Sequence, residues 1–317
     1  MVTICYLTNR DNPRFEWFRQ SFNRQYNNEV KAEIVVINGS NKSVDTWYKD
    51  GDKCEITEYR PKPTPWQGPH RITKDNWFAA SNARNTGIIY ANGTYIVYVD
   101  DLSVLCPTWW QSVVKAYNDQ IIILGAYKKV KDLTVEDGRI LHYEETPNGN
   151  DHRLNYGSRW AGGSWLYGCS CGFPIEYLLE VNGWDEINDG ISYEDVQLGV
   201  RLEKKGHRMY YNTDMLTLEC EECHSEGISF RREDPLLTPQ QYEECRNRMG
   251  ITGWHEKGGR TDTSHLLMDM VNTRTRPDNF WTWGNHFNLR KLKASKAFQL
   301  PTGDELFWPN LQPIKNI

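Results

Sequence analysis

No apolar run in this 317-residue chain approaches the length of a membrane span, and mean hydropathy is −0.71. A bilayer-crossing helix needs about 20 predominantly apolar residues, so none is expected. Excess positive charge is also missing. Lys and Arg number 37 against 42 Asp and Glu, a net charge of −5 with a pI of about 5.9. No global field therefore announces nucleic acid or an acidic membrane. No basic segment with a cleavage site opens the chain; residues 1–7 run straight into an apolar stretch, which reads as a soluble, cytoplasmic protein. There is no internal repeat. No Gly-rich loop with Arg and Lys follows the first apolar stretch, where Thr8-Asn9-Arg10-Asp11 stands instead, and this argues against nucleotidyl transfer. The eight cysteines are scattered without framework spacing and fit free thiols in a reducing compartment. Cys220-Glu221-Glu222-Cys223-His224 matches a haem-attachment pattern, but that attachment requires export. Cys169 and Cys171 are spaced by one residue, a poor half of a four-thiolate zinc site with Cys220 and Cys223.

Aromatic residues are plentiful, with 13 Trp and 17 Tyr. Most large aromatics are core, but their faces also suit sugar rings and bases. Trp160, Trp165 and Trp184 stand in Gly-containing stretches and are the candidates for a sugar platform.

The first half alternates strand and helix patterns. Apolar strands are predicted at 3–8, 33–37, 54–59, 94–99 and 121–124. Between them fall a helix after Pro13 with Phe15, Phe18 and Phe22 on one face, a helix from Asp75 or Asn76 to Asn92-Gly93, and a helix from Pro107. This order predicts an α/β fold whose sheet is mostly parallel with helices on both faces. Ligands of such sheets bind beyond the carboxyl ends of the strands. Asn9-Arg10, Asn38-Gly39-Ser40 and Asp100-Asp101 all fall on that edge. Farther on, 149–163 reads as a polar lid, Pro174 opens a helix to Val181, and strands are expected at 207–211 and 215–220. A helix follows Thr238-Pro239, and the polar stretch beyond 250 is either an extension wrapping the core or an acceptor-binding lobe.

Two acidic pairs carry the chemistry. Asp100-Asp101 ends an apolar strand, and Glu194-Asp195 opens a short helix whose apolar face reads as Val196, Leu198, Val200 and Leu202. Adjacent carboxylates repel each other, which a helix dipole only partly offsets. The first pair suits Mg²⁺ or Mn²⁺ bridging a diphosphate; the second suits a base and an acceptor anchor. His224, just beyond a strand, is placed to return to the metal.

The run from Ala83-Arg84-Asn85-Thr86-Gly87 through Tyr98-Val99-Asp100-Asp101 resembles the GT-A glycosyltransferases, family 2 in particular. Phe173-Pro174, Val181-Asn182-Gly183-Trp184-Asp185-Glu186 and Tyr193-Glu194-Asp195-Val196-Gln197-Leu198 resemble a second stretch of that family. The chain is also similar to metal-dependent animal galactosyltransferases, whose Glu-Asp-Asp is followed by a metal-binding His-Ser, here His224-Ser225. The resemblance covers residues 1–225, leaving 226–317 as a C-terminal extension. It implies an inverting, metal-dependent transferase using a nucleotide sugar, with a UDP-sugar favoured. Asp101 and His224 would ligate Mn²⁺ or Mg²⁺, with Asp100 near the ribose or metal. Asp195 would be the general base and Glu194 would hold the acceptor, while Thr8, Asn9, Arg10, Ser40 and Arg84 would line the nucleotide. Two departures stand out. The usual Asp-x-Asp reads Asp100-Asp101-Leu102, and Ile37-Asn38 replaces the Asp that often reads the base. The implied acceptor is a glycan or other polymer. A hydroxymethylated base of viral DNA is an alternative, for which Lys128, Lys129, Lys131, Arg231, Arg232 and 291–296 would form a basic strip. An inactive sugar- or nucleotide-binding module on the same fold is the other.

Overall fold

The computed structural model describes residues 1–40, 42–44, 51–62, 79–186, 189, 194–225, 285 and 287–297. The expected helix cap at Asp75 or Asn76, the helix after Thr238, and Arg231 and Arg232 of the basic strip lie outside the described residues.

β1 (Val2–Thr8) is buried along its whole length, as a central strand covered on both faces must be. Alternation sends Val2, Ile4 and Tyr6 to one core and Cys5 and Leu7 to the other. On the first face, α1 (Phe15–Gln25) lays down Phe15, Phe18 and Phe22, and the Tyr6 ring lies 5.0 Å from both Phe15 and Phe18. β2 (Ala32–Asn38) and β3 (Glu55–Tyr59) continue the sheet in parallel. α2 (Ala80–Tyr90) covers the second face and leads into β4 (Tyr95–Asp100), parallel to β1. β5 (Ser103–Leu105) precedes α3 (Trp109–Asp119), whose Trp109, Trp110 and Val113 join the α1 core.

β6 (Ile122–Glu136) and β7 (Arg139–Asn150) form an antiparallel hairpin. β8 (Arg159–Ala161), β9 (Ser170–Pro174), α4 (Ile175–Glu180), α5 (Glu194–Lys204) and β10 (Met209–Cys220) follow. The ten-stranded sheet runs β3-β2-β1-β4-β9-β6-β10-β5, with β7 on β6 and β8 on β10. β9 is antiparallel to both β4 and β6, so β6 and the β10 beside it point the same way as β1 and β4. With β2 and β3, six strands thus point toward one edge.

Several expectations are corrected. The strand at 121–124 extends to Glu136, and the two strands at 207–220 are one, continuing across a register shift between Asn212 and Leu216. The segment 149–163 is not a loose lid. It holds the end of β7, a 3-10 turn at His152–Tyr156 and β8, and a buried ion pair anchors it. Arg153 contacts Asp151 at 2.7 Å and donates to the Gly125 carbonyl at 2.9 Å and to the Trp165 carbonyl. Cys220 and Cys223 are joined as a disulfide, whereas Cys5, Cys54, Cys106, Cys169 and Cys171 are free. On α5 the buried residues are Gln197, Leu198, Gly199, Arg201 and Leu202, because a helix returns to its face every three or four residues; Val196 and Val200 are only half-buried.

Past the undescribed stretch, α6 (Leu289–Ser295) packs back on α2. Leu289 is buried in the same core, and the Lys293 ammonium bonds the Ile88 and Ala91 carbonyls at 2.7 and 2.5 Å. Lys128 pairs with Glu145 at 2.5 Å. These two lysines are therefore committed within the fold rather than forming a strip for phosphates.

α5 is seated by glycine against glycine. A Cβ on Gly199 would lie 2.0 Å from the Gly163 carbonyl oxygen, and one on Gly163 would lie 2.3 Å from the Gly199 carbonyl. Backbone cannot yield as a side chain can. Gly199→Ala is expected to destabilise the fold by about 1–3 kcal/mol through overpacking. Urea unfolding measures this; a midpoint equal to the parent's would show that the helix shifts freely.

Candidate active site

The carboxyl ends of β1, β4 and β10 and the amino end of α5 enclose a cleft of about 710 Å³. That is within the roughly 300–1,000 Å³ of small-molecule sites. Asn9, Arg10, Arg84, Asp100, Asp101, Glu194, Asp195 and His224 line it, so the residues expected from distant motifs share one wall-to-wall space. Thr8 joins through its hydroxyl, which donates to Asp101 at 2.8 Å.

Two buried arginines knit the acidic pairs. Arg84 reaches Glu194 at 2.9 Å and Asp100 at 3.5 Å, with its guanidinium 4.5 Å from the Trp184 ring. Burial opposes its charge, but Asp100 and Glu194 more than offset this and hold it protonated above the ordinary range. Arg10 meets Asp101 at 3.3 Å and donates to the His224 carbonyl at 3.1 Å. A further Arg10 nitrogen lies 3.3 Å from His224 Nδ1. Arginine has only donors, so Nδ1 accepts and the neutral ring carries its proton on Nε2.

Burial dominates the carboxyl groups. It pushes Asp101 up to about 6, with Arg10 and the Thr8 hydroxyl pulling the other way. Asp195 rises to about 7, first from burial and then from repulsion by Glu194. Its oxygens accept from the Val196 amide at 2.7 Å and the Gly168 amide at 3.4 Å. A carboxylate poised near neutrality at a helix start is suited to taking a proton.

Four expected residues stand elsewhere. Trp184 is fully buried beneath Arg84, edge-on to Tyr98 and Phe173, and presents no face to a sugar. Trp160 lies on β8 opposite Tyr210, near the start of β10, whereas the cleft is at that strand's end. Trp165 packs against Tyr156 and Tyr211 in the same region. Ser40 spends its hydroxyl on Asp11 at 2.5 Å and does not line the cleft.

The aromatic side chains that do line the cleft are Tyr127 on β6 and Tyr167 beside Gly168. Lys129 and Cys169, expected only in a basic strip and a zinc site, line it as well, as do Glu219 and Glu221, to which no role was given. Alternation along β6 puts 127 and 129 on one face, which would have signalled them had the strand been traced past 124. Glu219 had only its nearness to His224 to mark it.

The cleft is short of positive charge: six carboxylates face Arg10, Arg84 and Lys129. Glu219 Oε1 and His224 Nε2 are buried with no hydrogen-bond partner among the described residues. Among the described residues no three acidic, cysteine or histidine side chains already converge as a metal site. The donor chemistry nonetheless fits a hard divalent cation, since carboxylates and an imidazole face a site that lacks counter-charge.

No family model matches the sequence, and no curated protein matches it. Among solved structures, GalNAc-T7 with UDP, GalNAc and Mn²⁺ superposes with a TM-score of 0.52 at 15% identity, covering 78% of this chain and 48% of that one. The chain thus spans about half the length of the GalNAc-T7 it matches. S. aureus TarS 1-349 gives 0.48 at 13% identity, over 88% of this chain and 74% of TarS. Its complex with UDP-GlcNAc gives 0.47 at 14% identity over the same shares. No helix among the described residues is long and apolar enough to cross a membrane. The chain carries the α/β fold of the GT-A glycosyltransferases.

Proposed function

We propose that the cleft transfers a sugar from a nucleoside-diphosphate donor to an acceptor hydroxyl with inversion at the anomeric carbon. The observation that carries this reading is the meeting of both acidic pairs in one cleft, with Arg84 bonded to a member of each. Asp195 accepts the acceptor's proton while the hydroxyl oxygen attacks the anomeric carbon and the bond to the diphosphate breaks. Glu194, oriented by Arg84, holds the acceptor. Arg10, together with Asn9, faces the donor's phosphates, and Tyr127 and Tyr167 offer ring faces for the sugar or base. Asp101 and His224 would hold a divalent cation, which when bound supplies positive charge against the departing diphosphate. To ligate at Nε2, His224 would take the other neutral tautomer, with its proton on Nδ1 and the Arg10 contact there given up.

Residues 1–225 form the catalytic unit in this reading and 226–317 an extension serving the acceptor, a glycan or other polymer. UDP-sugars are the first donors to try, because the GalNAc-T7 structure holds UDP and Mn²⁺. A thermal melt with UDP, GDP or CMP, each with and without Mn²⁺, tests the reading. One nucleotide should stabilise the protein only when Mn²⁺ is present, by about 2.7 kcal/mol at a hundredfold excess over Kd. No shift with any nucleotide would remove the donor site from this cleft. Screening the stabilising nucleotide's sugar conjugates for hydrolysis then names the donor.

A further inference from the structure

We propose that Glu219 is a ligand of the cleft's divalent cation, supplied by β10 where the turn after β4 offers no further carboxylate. The proposal rests on the metal-dependent reading above. The other carboxylates near the turn after β4 are already engaged. Asp100 and Glu194 share Arg84, and Asp101 takes the Thr8 hydroxyl and Arg10. Leu102, the next residue, has a left-handed backbone with φ of 60° and is buried with Cys220 and Cys223, away from any polar role. Position 102 can contribute nothing to a cation.

β5 resumes at Ser103, and its ladder partner on the antiparallel strand is Glu219. Pairing across a ladder brings facing residues within about 5.5 Å at Cα. Glu219 is thereby fixed beside the Asp100-Asp101 turn, although it lies far away in sequence. Its side chain lines the cleft, yet the residue is 4% exposed.

A carboxylate so deeply buried normally has every oxygen satisfied. Oε1 of Glu219 has no partner among the described residues, and neither has Nε2 of His224. Glu219 Oε2 and His224 Nε2 stand 3.8 Å apart. That is too long for a hydrogen bond, yet short enough for one ion to touch both at about 2.1 Å from each. A cation placed there would give His224 Nε2 and the Glu219 carboxylate the partner they lack, the imidazole staying neutral with its proton on Nδ1 and the Arg10 donor turned away from that nitrogen. The two groups are held independently, Glu219 by the β5–β10 ladder and His224 by the turn closed by Cys220–Cys223 and by the hydrogen bond its backbone N–H donates to the Glu221 carbonyl at 3.1 Å.

Mn²⁺ titration followed by electron paramagnetic resonance of the free ion, with UDP present and absent, tests this without any transfer assay. The proteins are the parent, Glu219→Gln, Glu219→Asp and Asp101→Asn. The expected result is Mn²⁺ binding by the parent, weakened at least about tenfold in Glu219→Gln, since even outer-shell changes cost roughly 10–100-fold. Glu219→Asp, which keeps a carboxylate, should bind more tightly than Glu219→Gln. Without metal, Glu219→Gln should melt no lower than the parent, because the buried oxygen it alters has no partner to lose, and it should lose the parent's Mn²⁺-induced rise. If Glu219→Gln fails to fold, Glu219→Asp against the parent decides, with a weakening of severalfold expected. Parent-like affinity in the folded Glu219 variants, with binding lost in Asp101→Asn, would overturn the role of Glu219 and leave the metal-dependent reading standing. Absence of Mn²⁺ binding by the parent in both conditions would overturn both.

Discussion

Asp195→Asn is expected to lower transfer by about a thousandfold, within the roughly 10²–10⁴-fold attributed to general bases, while donor affinity stays within twofold. The side chain keeps its size and its place above the Gly168 and Val196 amides but can no longer take a proton. Steady-state kinetics alongside equilibrium binding of the stabilising nucleotide separates these effects. Transfer by the variant at the parent's rate would place the base elsewhere.

The pH dependence follows from the same group. As the proposed base Asp195 has to be ionised, and burial and Glu194 hold its proton up to about pH 7, so parental kcat/KM should climb through neutrality and level off above it. Glu194→Gln removes the repelling neighbour and should carry that limb toward lower pH. Stability runs the opposite way. The folded carboxyl is raised above its unfolded value of about 3.9, so its contribution is fully present below that value and is lost as pH rises through about 7. Asp195→Asn should therefore match the parent's melting temperature near pH 4 and exceed it at pH 8. A constant difference across that range would deny the shift.

The second large effect concerns Arg84. Replacing it by Met leaves Asp100 and Glu194 facing each other without counter-charge, and breaking a buried pair from one side costs about 3–5 kcal/mol. Both carboxylates keep some contact with water, so the lower end, about 3 kcal/mol, is expected. Adding Asp100→Asn and Glu194→Gln should recover much of the loss, because no stranded charge then remains. Denaturant midpoints of the single and triple variants measure this. If the single variant is as stable as the parent, the guanidinium is not what neutralises the two pairs. Gly168 is bound into the same arrangement, since a Cβ there would lie 2.3 Å from an Arg84 nitrogen.

How far such a site can be read from sequence depends on where the determining contacts lie. The strand ends at Thr8 and Asp100 and the helix start at Glu194 were legible, because apolar alternation and acidic pairs are local patterns and the strand order puts those ends on one edge. β6 beyond Ala126 was not. Its outer half alternates charged and half-buried residues against an equally polar β7, a pattern shared with loops. Trp184 was misread because its loop composition says nothing of the side chain's direction, which Arg84, Tyr98 and Phe173 decide from distant positions. Ladder register hid Glu219 in the same way: its importance comes from facing Ser103, and no local pattern records that. The disulfide turned on whether Cys220 and Cys223 meet at a strand end, which spacing alone leaves open.

The Asp151–Arg153 pair has a consequence for how the cleft can be remodelled. Arg153 stacks 4.0 Å over the Tyr167 ring and 4.7 Å over Tyr211 while bonding the carbonyls of Gly125 and Trp165. The stretch presenting Tyr167, Gly168 and Cys169 is thus riveted to the sheet from behind. Lengthening that stretch would tear out the rivet and trimming Tyr167 would strip one of its stacking faces, whereas trimming the ring at 127 would leave it seated. Libraries seeking a roomier cleft should vary position 127 first and keep the loop length constant.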